Sequence, residues 1–167
     1  KAQGGTVSFD PNVRKEMLRI PEMREALAYI LEFTDIFLPS GHEVAQLARS
    51  ADEAGAIAEI FARGVREIVV KRGADGCSYF SADERIDLDA LAVDVADPTG
   101  AGDCFGATFI ACRRLGKTAL QSLRYANAAG ALAVSSKGPM EGTSGFAGLD
   151  ALLAQQPQHL RHAVMEG

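Results

Sequence analysis

No apolar run in the 167-residue chain approaches the roughly 18 residues that cross a bilayer, and these residues show no secretory n-region or cleavage signal. A membrane-spanning helix is therefore not expected. Basic residues are not in excess either. Seventeen Lys and Arg against 22 Asp and Glu give a net charge of −5, the wrong sign for a nucleic-acid-binding face. Cysteines are scarce. Cys77, Cys104 and Cys112 are odd in number, lack metal-ligand or redox spacing, and are expected as reduced thiols in a cytoplasmic protein. Cys104 has no histidine near it in sequence to make it a nucleophile, and a small core residue is the plainer account. Repeats, low-complexity tracts and dividing linkers are also missing.

The composition, 47% apolar and 23% charged, suits one domain with a sizeable core. The chain opens without methionine on KAQGGTVSFDPN, a short polar lead into an interior-looking strand, which predicts that the front of a longer protein is absent here. TVSF (6–9) reads as a strand stopped by DPN. Pro21 opens an amphipathic helix with Met23, Leu27, Ile30 and Leu31 on one face. IFL (36–38) is a short buried strand, Ser40 begins a helix, and residues 51–64 form another that ends at Gly64. VVK and CSYF are hairpin strands around GADG. IDLDALAVDV reads as one strand or two short ones. Helices follow over about 101–115 and through TALQSLRYANAAGALAVSS, then a loop KGPMEGTSG, then a short helix from about 149 that closes the chain. Strands alternating with helices mean an α/β sandwich with a largely parallel sheet.

The chemistry gathers in DPTGAGDCFGATF (97–109). Glycines there free the backbone, the following apolar spacing is helical, and a helix N-terminus offers N–H groups to an anion. Three phosphate-binding readings compete. GKT (116–118) suggests a P-loop, but the glycine required five residues earlier is Ala111, and GKT follows a helix rather than a strand. Gly100, Gly102 and Gly106 form a loosened dinucleotide fingerprint, yet no second strand ending in an acid follows, and Asp103 would face a pyrophosphate with nothing to offset the repulsion. In phosphoryl transfer to an alcohol, Asp103 gains a task. Backbone N–H groups hold the transferring group while a carboxylate takes the hydroxyl proton, and the glycine turn with Asp103 supplies both within four residues.

DPTGAGDCFGATF resembles the C-terminal signature of the ribokinase-like (PfkB) carbohydrate kinases, D-T-x-G-A-G-D followed by small and apolar residues. Thr108 departs from it, at a position that is usually Gly or Ala. FDPNVR (9–14) is similar to the D-x-N-x-R segment of the fructokinase, tagatose kinase and 2-keto-3-deoxygluconate kinase branch. VVKRGADGC resembles the family's K-x-G-x-x-G hairpin, and YANAAGALAVSSKGPMEG its adenine-side helix and cation loop. The resemblance implies a three-layer ribokinase-like α/β fold, of which residues 1–167 are the C-terminal, nucleotide-binding and catalytic part, with the N-terminal section and its β-sheet lid absent. It implies ATP-dependent phosphorylation of a sugar or sugar-acid hydroxyl, with Mg2+ and a monovalent cation such as K+, and a homodimer through the missing lid. Asp103 becomes the base that activates the sugar hydroxyl, and Gly100, Ala101 and Gly102 the anion hole. Lys71, Arg72, Gly73 and Gly76 contact the nucleotide, and Asn127 lies at its base or ribose. Asn12 and Arg14 reach the phosphates or a sugar oxygen, although Arg14 also fits a surface salt bridge.

Three assignments stay open. Glu43 corresponds to the Glu of the family's N-x-x-E, which organises magnesium through water; here Ser40 replaces the Asn, and S-x-x-E is also a capping box. Asp97 and Thr99, with backbone oxygens near Val134 and Lys137, resemble the monovalent-cation site, while Asp97 before Pro98 also suits a turn. Lys137 fits a phosphate contact or a solvated loop. A vitamin-precursor branch of the family commonly has Cys at the position of Asp103, so Asp103 argues for a sugar-type alcohol. A fragment without the sugar pocket could equally be a nucleotide-binding module without activity of its own, and a dinucleotide-binding oxidoreductase domain is the more distant alternative.

Overall fold

The computed structural model describes residues 1, 3–14, 16–48, 50 and 52–164, with side chains described through Arg161. Ala51, at the start of the helix expected from 51, lies outside the described residues. The chain divides into two compact units, Lys1–Arg72 with Tyr79–Glu84, and Gly73–Ser78 with Arg85–Ala163.

In the first unit, β1 (Ser8–Phe9), α1 (Pro21–Leu31), β2 (Ile36–Phe37), α2 (Gly41–Leu47), α3 (Glu53–Ala62) and β3 (Glu67–Lys71) follow one another. The three strands lie side by side and parallel, with Ser8 opposite Ile36 and Ile36 opposite Glu67. Their runs are short and apolar on both faces, as buried parallel strands require. Phe37, Ile68, Val69 and Val70 are fully buried, and Phe37, Ile68 and Val70 pack with Leu31, Val44, Ile57 and Ile60 from the helices. Pro21 sits at the first turn of α1, where its missing N–H costs nothing, and Leu27 and Leu31 are buried as expected. Ile30 is a correction: it is 38% exposed, because the buried stripe of α1 is narrower than its apolar residues allow. Asp52 caps α3 through a bond from the Gly55 N–H.

The second unit holds the start of β4 (Cys77–Phe80), β5 (Glu84–Leu88), α4 (Ala101–Arg114), α5 (Ala119–Val134), α6 (Phe146–Gln155) and most of β6 (Leu160–Val164). The links flanking β4, residues 72–76 and 81–83, are too short for parallel crossovers, so this part runs antiparallel. The alternating IDLDALAVDV keeps its strand only to Leu88; residues 89–100 form no further strand, since their N–H groups go elsewhere, as when Ala96 and Asp97 bond Val134 O. The C-terminal helix starts earlier than expected, at Phe146. It does not close the chain: β6 follows it, next to β5, with no periodicity in LRHAV to announce it. The rest of the expected α/β order is present.

α4 and α5 pack closely because small residues let them. A side chain at Gly130 would lie 3.6 Å from Ala101 O and 3.7 Å from Phe105 Cβ. Ala128, Ala129 and Ala131 of α5 join Leu91 and Leu149 in the core of this unit.

Candidate active site

In the first unit the C-terminal ends of three neighbouring parallel strands carry DPNVR, SGHE and KR, the position where open α/β sheets bind ligands. Main-chain pairing sets them together: the Lys71 N–H bonds Pro39 O at 2.8 Å, and Ser40 bridges Lys71 in parallel. The Lys71 ammonium pairs with the Asp10 carboxylate. Arg72 forms a two-pronged bond with Glu53, at 2.9 and 2.7 Å, and lies 3.6 Å from where a side chain on Gly41 would be. Sequence reasoning missed both acids as partners. Asp10 was visible as the first residue of D-x-N-x-R, whereas Glu53 carries no local signal. Asn12 is exposed with φ +41°, a left-handed conformation that asparagine tolerates better than most residues. Arg14 is exposed and forms no ion pair among the described residues. Glu43 is 3% exposed, and Ser40 donates to it from both N–H and hydroxyl, the reciprocal part of a capping box.

The second unit contains the glycine turn. Gly100 is the N-cap of α4 with φ +79°, and a side chain there would fall 2.2 Å from Pro139 O, so glycine is required twice over. The Cys104 N–H bonds Gly100 O at 2.9 Å, and the Ala101 N–H reaches Pro98 O at 3.4 Å. The first-turn N–H groups of Gly102 and Asp103 have no acceptor within the helix. Asp103 projects from this turn, exposed, and makes no hydrogen bond with a described residue. It does not cap α4. Burial and the Asp103 charge push the Cys104 thiol upward, which disfavours the thiolate and with it a nucleophile.

Asp97 braces this turn. Its carboxylate accepts the Thr99 N–H at 2.9 Å and the Gly138 N–H at 3.1 Å. Bonds from the Thr99 side chain and N–H and from Gly138 hold its pKa below the usual carboxylate value. Asn127, buried in α5, donates to Asp89 O at 2.8 Å. Gly73 and Gly76 both have positive φ: a side chain on Gly73 meets open space, whereas one on Gly76 would fall 1.9 Å from Leu88 O. Lys137 is exposed on its loop.

Parallel strands carrying polar loops at their C-terminal ends, and a glycine-capped helix whose first turn carries an unengaged aspartate, place the chain among α/β proteins with open strand ends and a helix N-terminus free of side-chain caps. The pfkB family carbohydrate kinase profile matches residues 1–144, and the chain belongs to that family. An Escherichia coli protein named Ribokinase II, solved without ligand and with ATP and Mg2+, is 52% identical with a TM-score of 0.90, covering 93% of this chain and 50% of that one. The 2-dehydro-3-deoxygluconokinase of Escherichia coli is 38% identical over 125 residues, 71% of this chain and 40% of its own. A Vibrio cholerae fructokinase double mutant, solved with fructose, ADP and potassium, is 30% identical with a TM-score of 0.79, covering 90% of this chain and 51% of that one. The fold is therefore the ribokinase-like α/β fold, and the chain spans about half or less of these proteins' length. No helix among the described residues is long and apolar enough to cross a membrane.

Proposed function

We propose that the complete polypeptide carrying this sequence phosphorylates a hydroxyl of a sugar or sugar acid with ATP as donor. The hydroxyl oxygen bonds to the γ-phosphorus, the bridge to the β-phosphate breaks, ADP leaves, and the hydroxyl proton passes to Asp103. One observation carries this reading: Asp103 stands exposed in the first turn of α4, past a left-handed glycine, with no structural duty as a cap. The Gly100–Gly102 turn supplies N–H groups for the phosphoryl oxygens, as an anion hole requires. Family membership, and relatives named for kinase activity, support the reaction class.

Gly73, Gly76 and Asn127 are proposed on the nucleotide side within the second unit, and Lys71, Arg72, Asn12 and Arg14 as nucleotide, phosphate or sugar contacts within the first. Gly73 is exposed, and a side chain there would meet nothing within 4 Å, which leaves its backbone open to approach. Magnesium fits as an ion carried by the nucleotide, because no three His, Cys, Asp or Glu side chains gather as metal ligands among the described residues. Bound with ATP, it neutralises phosphate charge. A monovalent cation is proposed beside Asp97 and Thr99. A homodimer through the β-sheet lid that the family resemblance implies is proposed with it.

Asp103→Asn tests the base. It keeps the shape of the side chain but cannot take the proton, and loss of a positioned base lowers turnover by about 10²–10⁴-fold. ATP affinity should hold or improve, since a charge near the γ-phosphate is removed. The assay is sugar phosphorylation by the complete protein at saturating ATP, across a panel of sugars and sugar acids. Turnover within a few-fold of the parent would end the assignment.

A further inference from the structure

Glu43 does more than a capping box needs. Ser40 gives its Oε2 two donors, the N–H at 2.7 Å and the hydroxyl at 2.6 Å. Its Oε1 accepts a third, the Val13 N–H at 2.6 Å, from the loop that follows β1. That bond is not part of any helix cap. With three donors on its two oxygens and only 3% exposure, the residue leaves little surface for an ion-bound water to meet.

The Val13 bond falls beside a left-handed residue. Among the described residues Asn12 is the non-glycine residue with positive φ, a conformation that asparagine tolerates and most L-residues avoid. Two anchors flank it: Asp10 is held by the Lys71 ammonium, and Val13 by Glu43, with the Val13 side chain buried against Leu18 and Leu27. Between and beyond the anchors, Asn12 and Arg14 point to solvent.

We propose that Glu43 is a positioning residue that fixes the 10–14 loop so that Asn12 and Arg14 are presented, in place of the magnesium role the family resemblance implies. The use of Asn12 and Arg14 rests on the kinase reading; the pin itself does not. The replacement of the family's Asn by Ser40 fits this change of role, since the serine hydroxyl turns inward to Glu43.

Hydrogen exchange read by NMR on the complete protein tests the pin directly. In the parent, the Val13 amide should exchange at least about 100-fold more slowly than in an unstructured chain; exchange within about tenfold of that rate overturns the proposal. In Glu43→Gln, Val13 should exchange at least about tenfold faster, while the Mg2+ concentration for half-maximal ATP binding moves less than about twofold. A tenfold shift in that Mg2+ midpoint with Val13 unchanged overturns it. A double-mutant cycle with Asn12→Ala, read as Mg·ATP affinity, adds the functional arm. If Glu43 acts through the loop, the double variant binds no more weakly than the weaker single one, and additive losses overturn the proposal. Should Glu43→Gln not fold, the exchange of the Val13 amide in the parent decides on the pin. A parent that does not bind Mg·ATP sinks the kinase reading alone, because the exchange arms still decide on Glu43.

Discussion

Gly73 and Gly76 occupy one short turn and share a left-handed backbone, yet the structure makes different demands of them. At Gly76 (φ +89°) a methyl group would fall 1.9 Å from Leu88 O and 2.7 Å from Ala90 N, backbone atoms that cannot swing aside. At Gly73 (φ +57°) the same methyl meets nothing within 4 Å. Gly76→Ala should therefore cost more than about 2 kcal/mol, conformational strain plus displaced backbone, and Gly73→Ala about 1 kcal/mol of strain alone. Thermal melts check both, and a Gly76→Ala melt equal to the parent would show that the clash is relieved cheaply. Calorimetry on the same pair then separates function from fold. Weaker ATP binding in Gly73→Ala with a nearly parental melt points to close nucleotide approach at that backbone. The sequence marked both glycines equally. Only their neighbours distinguish them.

At the scale of elements, local signals were strongest where a helix begins. GKT fails as a phosphate loop and succeeds as a helix start: the Gln121 N–H bonds Thr118 Oγ1 at 3.2 Å, and the Thr118 N–H bonds Gln121 Oε1 at 3.0 Å. Thr118→Ala should lower stability by about 1 kcal/mol and speed amide exchange in the first turn of α5, which holds Asn127 two turns further on. Unchanged exchange at Gln121 would mean that the cap contributes nothing. Strand boundaries were less legible. β5 ends at Leu88 although apolar alternation continues to Val95, which is 66% exposed, because alternation shows which residues can face a core and not whether a neighbouring strand is there. β6 was missed for the converse reason.

Over the whole molecule, acid sensitivity should come from carboxylates held by bonds. The Val7 N–H keeps Asp35 low against the effect of its burial, with help from Lys1 and Arg66. Burial raises Asp87, but hydrogen bonds from Arg85 and Ser78 outweigh it, and Asp97 is lowered by Thr99 and Gly138. All three are therefore depressed in the folded state. Their stabilisation is complete above the ordinary carboxylate value near pH 4 and is lost as pH falls through the lowered ones. Urea midpoints should be level from about pH 7 to 5 and fall below about pH 4, and Asp35→Asn should flatten that fall. A parent whose midpoint holds from pH 4 to 2.5 would contradict this account.

The sequence by itself determined the α/β order, the glycine turn before α4 and the start of α5. Each is written in contiguous residues: glycine where the backbone turns left, apolar spacing of the right period, hydroxyl and amide three residues apart. Tertiary structure decided what distant residues do to one another. Lys71 finds Asp10, Arg72 finds Glu53, and Asn127 finds Asp89 O, pairs up to 61 positions apart that no local pattern encodes. Glu43 shows the division within one residue. Its spacing from Ser40 announced a capping box, but the bond to Val13, which fixes the Asn12 loop, exists only because parallel pairing brings the ends of β1 and β2 together.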